Sequence, residues 1–89
     1  MKESFHFSVE AWQENRMEQL MEQIKTKAET CTPFQHVSVQ FFFPESHPLT
    51  MGELKLFNDW LNILPKGIEI SWEAESHDSP ELLSIVDLQ

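Results

Sequence analysis

The order of apolar patterns along this 89-residue chain constrains its fold more strongly than any other feature. Apolar and polar residues alternate over residues 5–9, 35–43 and 68–75, and a period of two is typical of strands with one buried face. An amphipathic stretch with helical spacing follows each of the first two runs, and an apolar run covers residues 82–88. The predicted order is therefore strand, helix, strand, helix, strand, strand.

The first helix is predicted over residues 11–28, where apolar side chains recur every three or four positions. The stripe consists of Met17, Leu20, Met21, Ile24 and Ala28. We expect the Thr32-Pro33 step to end this helix, because the residue before a proline favours an extended backbone.

The second helix has a clear start signal at Thr50. The Thr50 hydroxyl is expected to accept a hydrogen bond from the Glu53 amide, and the Glu53 carboxylate one from the Thr50 amide, which is a capping box. One apolar stripe consists of Leu54, Phe57, Leu61 and Leu64, and a second of Leu56, Trp60 and Ile63. Gly67 suits the left-handed turn expected after the helix.

The connections between the elements predict the sheet. A short turn joins the last two strands and indicates an antiparallel pair, whereas helical connections indicate that strands one and two, and strands two and three, run parallel. The third strand is predicted to bury Ile68, Ile70, Trp72 and Ala74, and the fourth is apolar on both faces, as a central strand would be. The predicted fold is an α+β two-layer sandwich in which a four-stranded mixed sheet and two helices form a single domain of residues 1–89.

The net charge of −9 restricts the partners of the chain. Fifteen carboxylates outnumber six basic side chains, and Arg16 is the only arginine. Nucleic acids and anionic membranes are bound by clustered basic residues, so neither is an expected partner, whereas a basic protein is electrostatically permitted. Cys31 is the only cysteine, so no internal disulfide can form. Because no apolar run reaches the length of a signal peptide or a membrane span, we expect a cytoplasmic protein.

The histidines are the candidate metal ligands and acid–base groups. His6 and His36 are predicted on the non-core side of their strands, where Glu69 or Glu73 could complete a zinc site if the two strands were neighbours. Solvent-facing histidines are the favoured interpretation. The chain has no Gly-rich phosphate loop, paired-cysteine motif or zinc-protease helix, so we expect no catalytic residue, no bound metal and no cofactor.

The second stripe of the second helix is the candidate interaction surface. It supplies more apolar area than a helix with one buried face needs, although a helix wedged between its neighbours would bury both stripes. If both helices lie on one face of the sheet, the other face exposes an aromatic ring and several carboxylates. The candidate interface residues are Trp12, Phe42, Leu56, Trp60, Ile63, Glu69, Glu73 and Glu75.

A family resemblance covers a little over half of the chain. A strand at residues 37–41 leads into an acidic helix with Leu54 and Phe57, then a strand at residues 68–72, then Asp78-Ser79 ahead of an apolar strand at residues 83–86. This pattern resembles the C-terminal domain of the FtsZ/tubulin-type cell-division GTPases. The resemblance implies a free-standing copy of a domain that serves assembly contacts. It does not imply GTPase activity, because the nucleotide-binding and hydrolysis loops of that family have no counterpart.

Three functions follow from these observations. The favoured interpretation is a small non-catalytic protein–protein interaction domain, with a homodimer as one expected form. An alternative is an acidic inhibitor or immunity-type protein that fills the basic site of an enzyme through Glu69, Glu73 and Glu75. A further alternative is a small metal- or ligand-binding module built on His6 and His36.

Overall fold

The computed structural model describes residues 4–31 and 33–89 and shows the predicted order of elements. The predicted helix end at Thr32 lies outside the described residues. In this described part of the chain, four strands form one mixed sheet accompanied by two helices, which confirms the predicted fold class. The elements are β1 (Phe5–Ala11), α1 (Arg16–Thr30), β2 (His36–Pro44), α2 (Met51–Ile63), β3 (Glu69–His77) and β4 (Leu82–Leu88).

The order of strands in the sheet is β1-β4-β2-β3. β3 pairs with β2 in parallel, as predicted, whereas β4 pairs antiparallel with both β1 and β2. The predicted pairing of β3 with β4 is therefore wrong. β1 and β2 run in the same direction, as predicted, but they are not neighbours. The last strand lies between the first and the second.

The short connection between β3 and β4 passes the end of β2. Two strand spacings amount to about 10 Å, and the five peptide steps from His77 to Leu82 can span about 17 Å. A short connection therefore does not require neighbouring strands. The central position of β4 covers apolar residues on both of its faces. On the face opposite to the core, Leu83 and Ile85 are half-buried.

Both helices pack on one face of the sheet, and we call this the helix-side face. The buried α1 stripe matches the prediction residue for residue. Phe57 of α2 makes an edge-to-face contact with Phe41 of β2 at 4.9 Å between ring centroids. The sheet side of this core consists of Val9, Ala11, Val37, Val39, Phe41, Leu82, Val86 and Leu88.

The helix boundaries follow from local backbone signals. α1 begins at Arg16 rather than at the predicted residue 11, because Ala11 ends β1 and is buried in the core. Gln13 and Asn15 have positive φ angles of 67° and 61° in the intervening turn. At α2 the Thr50 capping box is present as predicted, with both hydrogen bonds formed.

Candidate functional site

β3 is an edge strand with little cover. It has β2 on one side and, within the described ranges 4–31 and 33–89, no strand on the other. Eight of its nine residues are exposed, and His77 is half-buried. A long exposed edge strand is a template for pairing with another chain. β3 is therefore the candidate interaction site.

The helix-side face of β3 carries apolar side chains that remain accessible. Ile70 and Trp72 are 40% and 44% exposed, although their partners Val37 and Val39 on β2 are buried. Ala74 is also exposed. The predicted burial is therefore wrong for Ile70, Trp72 and Ala74, whereas Ile68 is half-buried against the core. The Trp72 ring makes an edge-to-face contact with the Phe57 ring at 5.5 Å between ring centroids.

The backbone of β3 also offers groups that have no ladder partner among the described residues. The Glu69 amide donates to the carbonyl of Gln35 at the start of the β2 ladder. In a parallel ladder the amide and carbonyl of one residue point to the same neighbour, and the next residue points the other way. The backbone groups of Ile70, Trp72, Ala74 and Ser76 consequently point away from β2. We call these four residues the free edge.

The opposite edge of the sheet is β1, and side chains of α1 lie against it. On β1 the carbonyl of Glu10 accepts a hydrogen bond from Nε2 of Gln23 on α1, at 3.1 Å. The ammonium of Lys27, also on α1, lies 5.6 Å from the centre of the Phe7 ring. Side chains of α1 thus cover part of the β1 edge, which is one of the usual protections of an edge strand.

The outer face of β3, opposite to the helices, is acidic. Glu69 lies 3.2 Å from Nδ1 of His36, and Glu73 accepts a hydrogen bond from Gln40 at 2.8 Å. Glu75 is exposed beside Phe42 on the neighbouring strand. The three predicted interface carboxylates therefore line one side of β3, and the exposed apolar residues line its other side.

The two strand histidines are not brought together. His6 lies on β1 and His36 on β2, with β4 between them. His6 contacts Asp87 of β4 at 2.6 Å, whereas His36 contacts Glu69. Residues 4–31 and 33–89 contain no group of three or more His, Cys, Asp or Glu side chains that could hold a metal ion. The geometry that a metal site on both histidines would need is absent.

The candidate interface residues of α2 divide into buried and exposed positions. Trp60 is only 3% exposed and belongs to the core, so it cannot offer a surface to a partner. Leu56 is half-buried against the core, whereas Ile63 is 73% exposed. Trp12, directly after β1, is exposed, and Phe42 is half-buried on the outer face with its ring 6.2 Å from that of His77. These residues do not form one continuous stripe.

A cleft of about 650 Å³ lies where the β1–α1 turn meets the N-terminus of α2. Its Arg16 guanidinium donates to both carboxylate oxygens of Glu53, at 2.6 and 2.9 Å, and to the Pro48 carbonyl. The hydrogen bonds from Arg16, opposed by burial, hold the pKa of Glu53 below its usual value, and the bond to Glu53 raises the pKa of Arg16. The pair joins the two helices.

Comparison with known proteins gives a fold but no sequence relative. No protein-family model matches the chain, and no curated protein matches it. An empty dimer of FtsZ from M. jannaschii has a TM-score of 0.72 and 13% identity, and the match covers 96% of this chain and 26% of FtsZ. This chain has the fold of an FtsZ domain. A mutant of the same FtsZ gives a TM-score of 0.72 and 12% identity, covering 97% of this chain and 27% of FtsZ.

This likeness confirms the predicted resemblance to the FtsZ C-terminal domain. The chain spans about a quarter of the FtsZ chains that it matches. At such low identity the likeness establishes the fold alone. None of the described helices has the length and hydropathy needed to cross a membrane.

Sequence reasoning missed the free edge. The alternation at residues 68–75 predicted that one face of β3 is buried. That prediction did not take into account the length of α2, the helix that covers this face. A thirteen-residue helix is about 20 Å long, whereas a nine-residue strand is about 30 Å long. That difference was a signal that α2 could not cover all of β3.

Proposed function

We propose that this chain is a small non-catalytic protein-binding domain that receives a strand of a partner protein along the free edge of β3. The observation that carries the proposal is the combination of unpaired backbone groups with the exposed side chains of Ile70 and Trp72. Addition of a strand to a sheet edge draws affinity from main-chain hydrogen bonds and specificity from alternate side chains. The free edge supplies both.

The cleft beside Arg16 supports a structural role better than a catalytic one. The guanidinium and the Glu53 carboxylate are bound to each other, and the same carboxylate closes the capping box of α2. Catalysis would need a nucleophile or base with a free reacting atom and a positioned donor. The proposal therefore places the function at β3, in a domain that we expect in the cytoplasm.

The test is a variant that blocks the free edge while preserving the sheet. Ala74→Pro removes an amide that points away from β2, so the β2–β3 ladder keeps its hydrogen bonds. We expect proteins retained from a cell extract by the wild-type chain to be lost by Ala74→Pro. The retained protein is then purified and its affinity for both chains is measured by calorimetry.

The matched control carries its changes on the exposed surface of α1, as Glu18→Gln and Glu22→Gln. This control should retain the same partner with unchanged affinity. If every purified partner binds Ala74→Pro as tightly as it binds the wild type, the free edge is not the binding site.

Self-association is the second candidate, because one of the matching FtsZ structures is a dimer. Light scattering at low and high salt measures it directly. A stable dimer that persists in Ala74→Pro would place the interface on another surface of the chain.

A further inference from the structure

We propose that the occupant of the free edge is an extended segment of another protein in which basic and apolar side chains alternate, and not a second copy of this chain. The inference rests on the proposed function and specifies the chemistry of its partner. It is carried by the different character of the two faces of β3.

An added strand would continue both faces of the sheet. Its side chains would alternate between the helix-side face, next to Ile70 and Trp72, and the outer face, next to Glu73 and Glu75. Apolar side chains on the first face would cover the exposed part of the Trp72 ring. Side chains on the second face would stand beside carboxylates.

The carboxylates on the outer face of β3 determine which charge favours binding on the added strand. Glu69, Glu73 and Glu75 are all exposed, and the net charge of the whole chain is −9. Cross-strand pairs of opposite charge stabilise a sheet, whereas like charges directly opposite each other destabilise it. Lys or Arg at alternate positions of the incoming strand would therefore complement β3.

The same carboxylates oppose pairing between two copies. In a two-fold dimer, β3 of one copy would run antiparallel to β3 of the other. We compare the registers in which at least two free-edge residues of one copy face free-edge residues of the second. Pairing Trp72 with Trp72 places Glu69 opposite Glu75, and pairing Ile70 with Ser76 places Glu73 opposite itself. The remaining registers likewise set a Glu against a Glu. Charges on edge strands are an established protection against such pairing.

The experiment uses synthetic peptides as long as β3. One alternates lysine with valine, a second alternates glutamate with valine, and a third repeats the lysine peptide with N-methylated amides along one edge. Binding to the wild-type chain is measured by calorimetry at low and high salt. Hydrogen exchange followed by NMR reports the protection of the amides of Ile70, Trp72 and Ala74.

We expect the lysine peptide to bind, to weaken as salt rises, and to protect those three amides. The glutamate peptide and the N-methylated peptide should bind at least about tenfold more weakly, which corresponds to about 1.4 kcal/mol. Glu73→Gln with Glu75→Gln should reduce the affinity for the lysine peptide and flatten its salt dependence. The matched pair Glu18→Gln with Glu22→Gln on α1 should leave both unchanged.

Three results would overturn the inference. Equal binding of the N-methylated peptide would indicate charge attraction without strand addition. Equal binding of the glutamate peptide would remove the role of the carboxylates. Protection of the same amides by dimerisation of the chain alone would identify a second copy as the occupant.

The failure of the inference is distinguishable from that of the proposed function. If the lysine peptide does not bind while Ala74→Pro still loses a purified partner, the free edge binds a strand of different chemistry. If every purified partner binds Ala74→Pro as tightly as the wild type, the proposed function fails and the inference fails with it.

Discussion

Ser84 lies on the helix-side face of β4, between Val9 and Phe41 on the neighbouring strands. It is fully buried, and its hydroxyl has no hydrogen-bond partner among the residues that the structure describes. A buried polar group without a partner loses its bonds to water and gains nothing in return. Ser84 thus lowers the stability of a core that is otherwise apolar around it.

Ser84→Ala should therefore raise the free energy of unfolding by about 1 kcal/mol. For a domain of this size the melting temperature should rise by about 4–8 °C, measured by circular dichroism. Ser8→Ala, an exposed position on β1, is the control and should leave it nearly unchanged. A lower melting temperature for Ser84→Ala would show that the hydroxyl stabilises the folded state.

The Arg16–Glu53 pair makes part of the stability depend on pH. The pKa of Glu53 in the folded chain is lowered, mainly by the hydrogen bonds from Arg16. A lowered carboxylate pKa contributes stability above the pKa of the unfolded chain, about 4.3, and this contribution is lost as the pH falls through the lower folded value. The pair should therefore stabilise the fold at neutral pH and not in strong acid.

Glu53→Gln tests this linkage while keeping a side chain that can form the capping box. We expect a loss of about 1–3 kcal/mol at pH 7, because the half-buried guanidinium loses its charged partner. Urea denaturation of both chains from neutral to acidic pH should show the difference shrinking below about pH 4.3. A difference that stays constant over this range would contradict the role given to the Glu53 charge.

At the scale of the element, β3 differs from the other strands in what surrounds it. Its ladder with β2 pairs alternate backbone groups, and within residues 4–31 and 33–89 the intervening groups have no ladder partner. Proline should consequently destabilise the chain to different extents at neighbouring positions, because proline lacks an amide proton.

Glu75→Pro should destabilise the chain by about 1–3 kcal/mol, since it removes an amide that points towards β2. Ala74→Pro should cost less, because its missing amide is one that points away from the sheet. Urea denaturation of the two variants measures the difference. Equal losses, or a larger loss for Ala74→Pro, would contradict the assigned direction of the β3 backbone and the free edge with it.

At the scale of the whole molecule, the charges on β3 determine how the chain associates with itself. Pairing of Ala74 with Ala74 in a two-fold dimer would place Glu73 opposite Glu75 twice. Glu73→Lys turns both of these repulsive contacts into attractive ones. The free backbone groups and the exposed Trp72 ring would then favour pairing without directly opposed glutamates in this register.

We expect the wild-type chain to be monomeric by light scattering at low salt and Glu73→Lys to form a dimer that weakens as salt rises. Glu18→Lys makes the same change of charge on α1 and should stay monomeric. If Glu18→Lys dimerises equally, reduced net charge rather than pairing at β3 is responsible.

The likeness to FtsZ also belongs to this scale. Nearly the whole chain superposes on part of FtsZ although only 13% of the residues are identical. Many different apolar side chains can fill one layered core if their pattern and total volume are kept. The pattern of elements, more than particular residues, therefore specifies the fold that the two proteins share.

The sequence by itself determined the local features. The order of elements, the buried stripe of α1 and the Thr50 capping box were all predictable, because each depends on residues within a few positions of one another. The central position of β4 was also indicated by its two apolar faces.

Only the tertiary structure decided which strands are neighbours and which apolar residues remain exposed. The chain connection suggested that β3 pairs with β4, yet β4 gains more cover between β1 and β2. Trp60 and Trp72 both lie in amphipathic patterns. Trp60 of α2 is buried in the core, whereas α2 covers only part of the Trp72 ring on β3. Burial depends on contacts between distant segments, whereas periodicity records only the face on which a side chain lies.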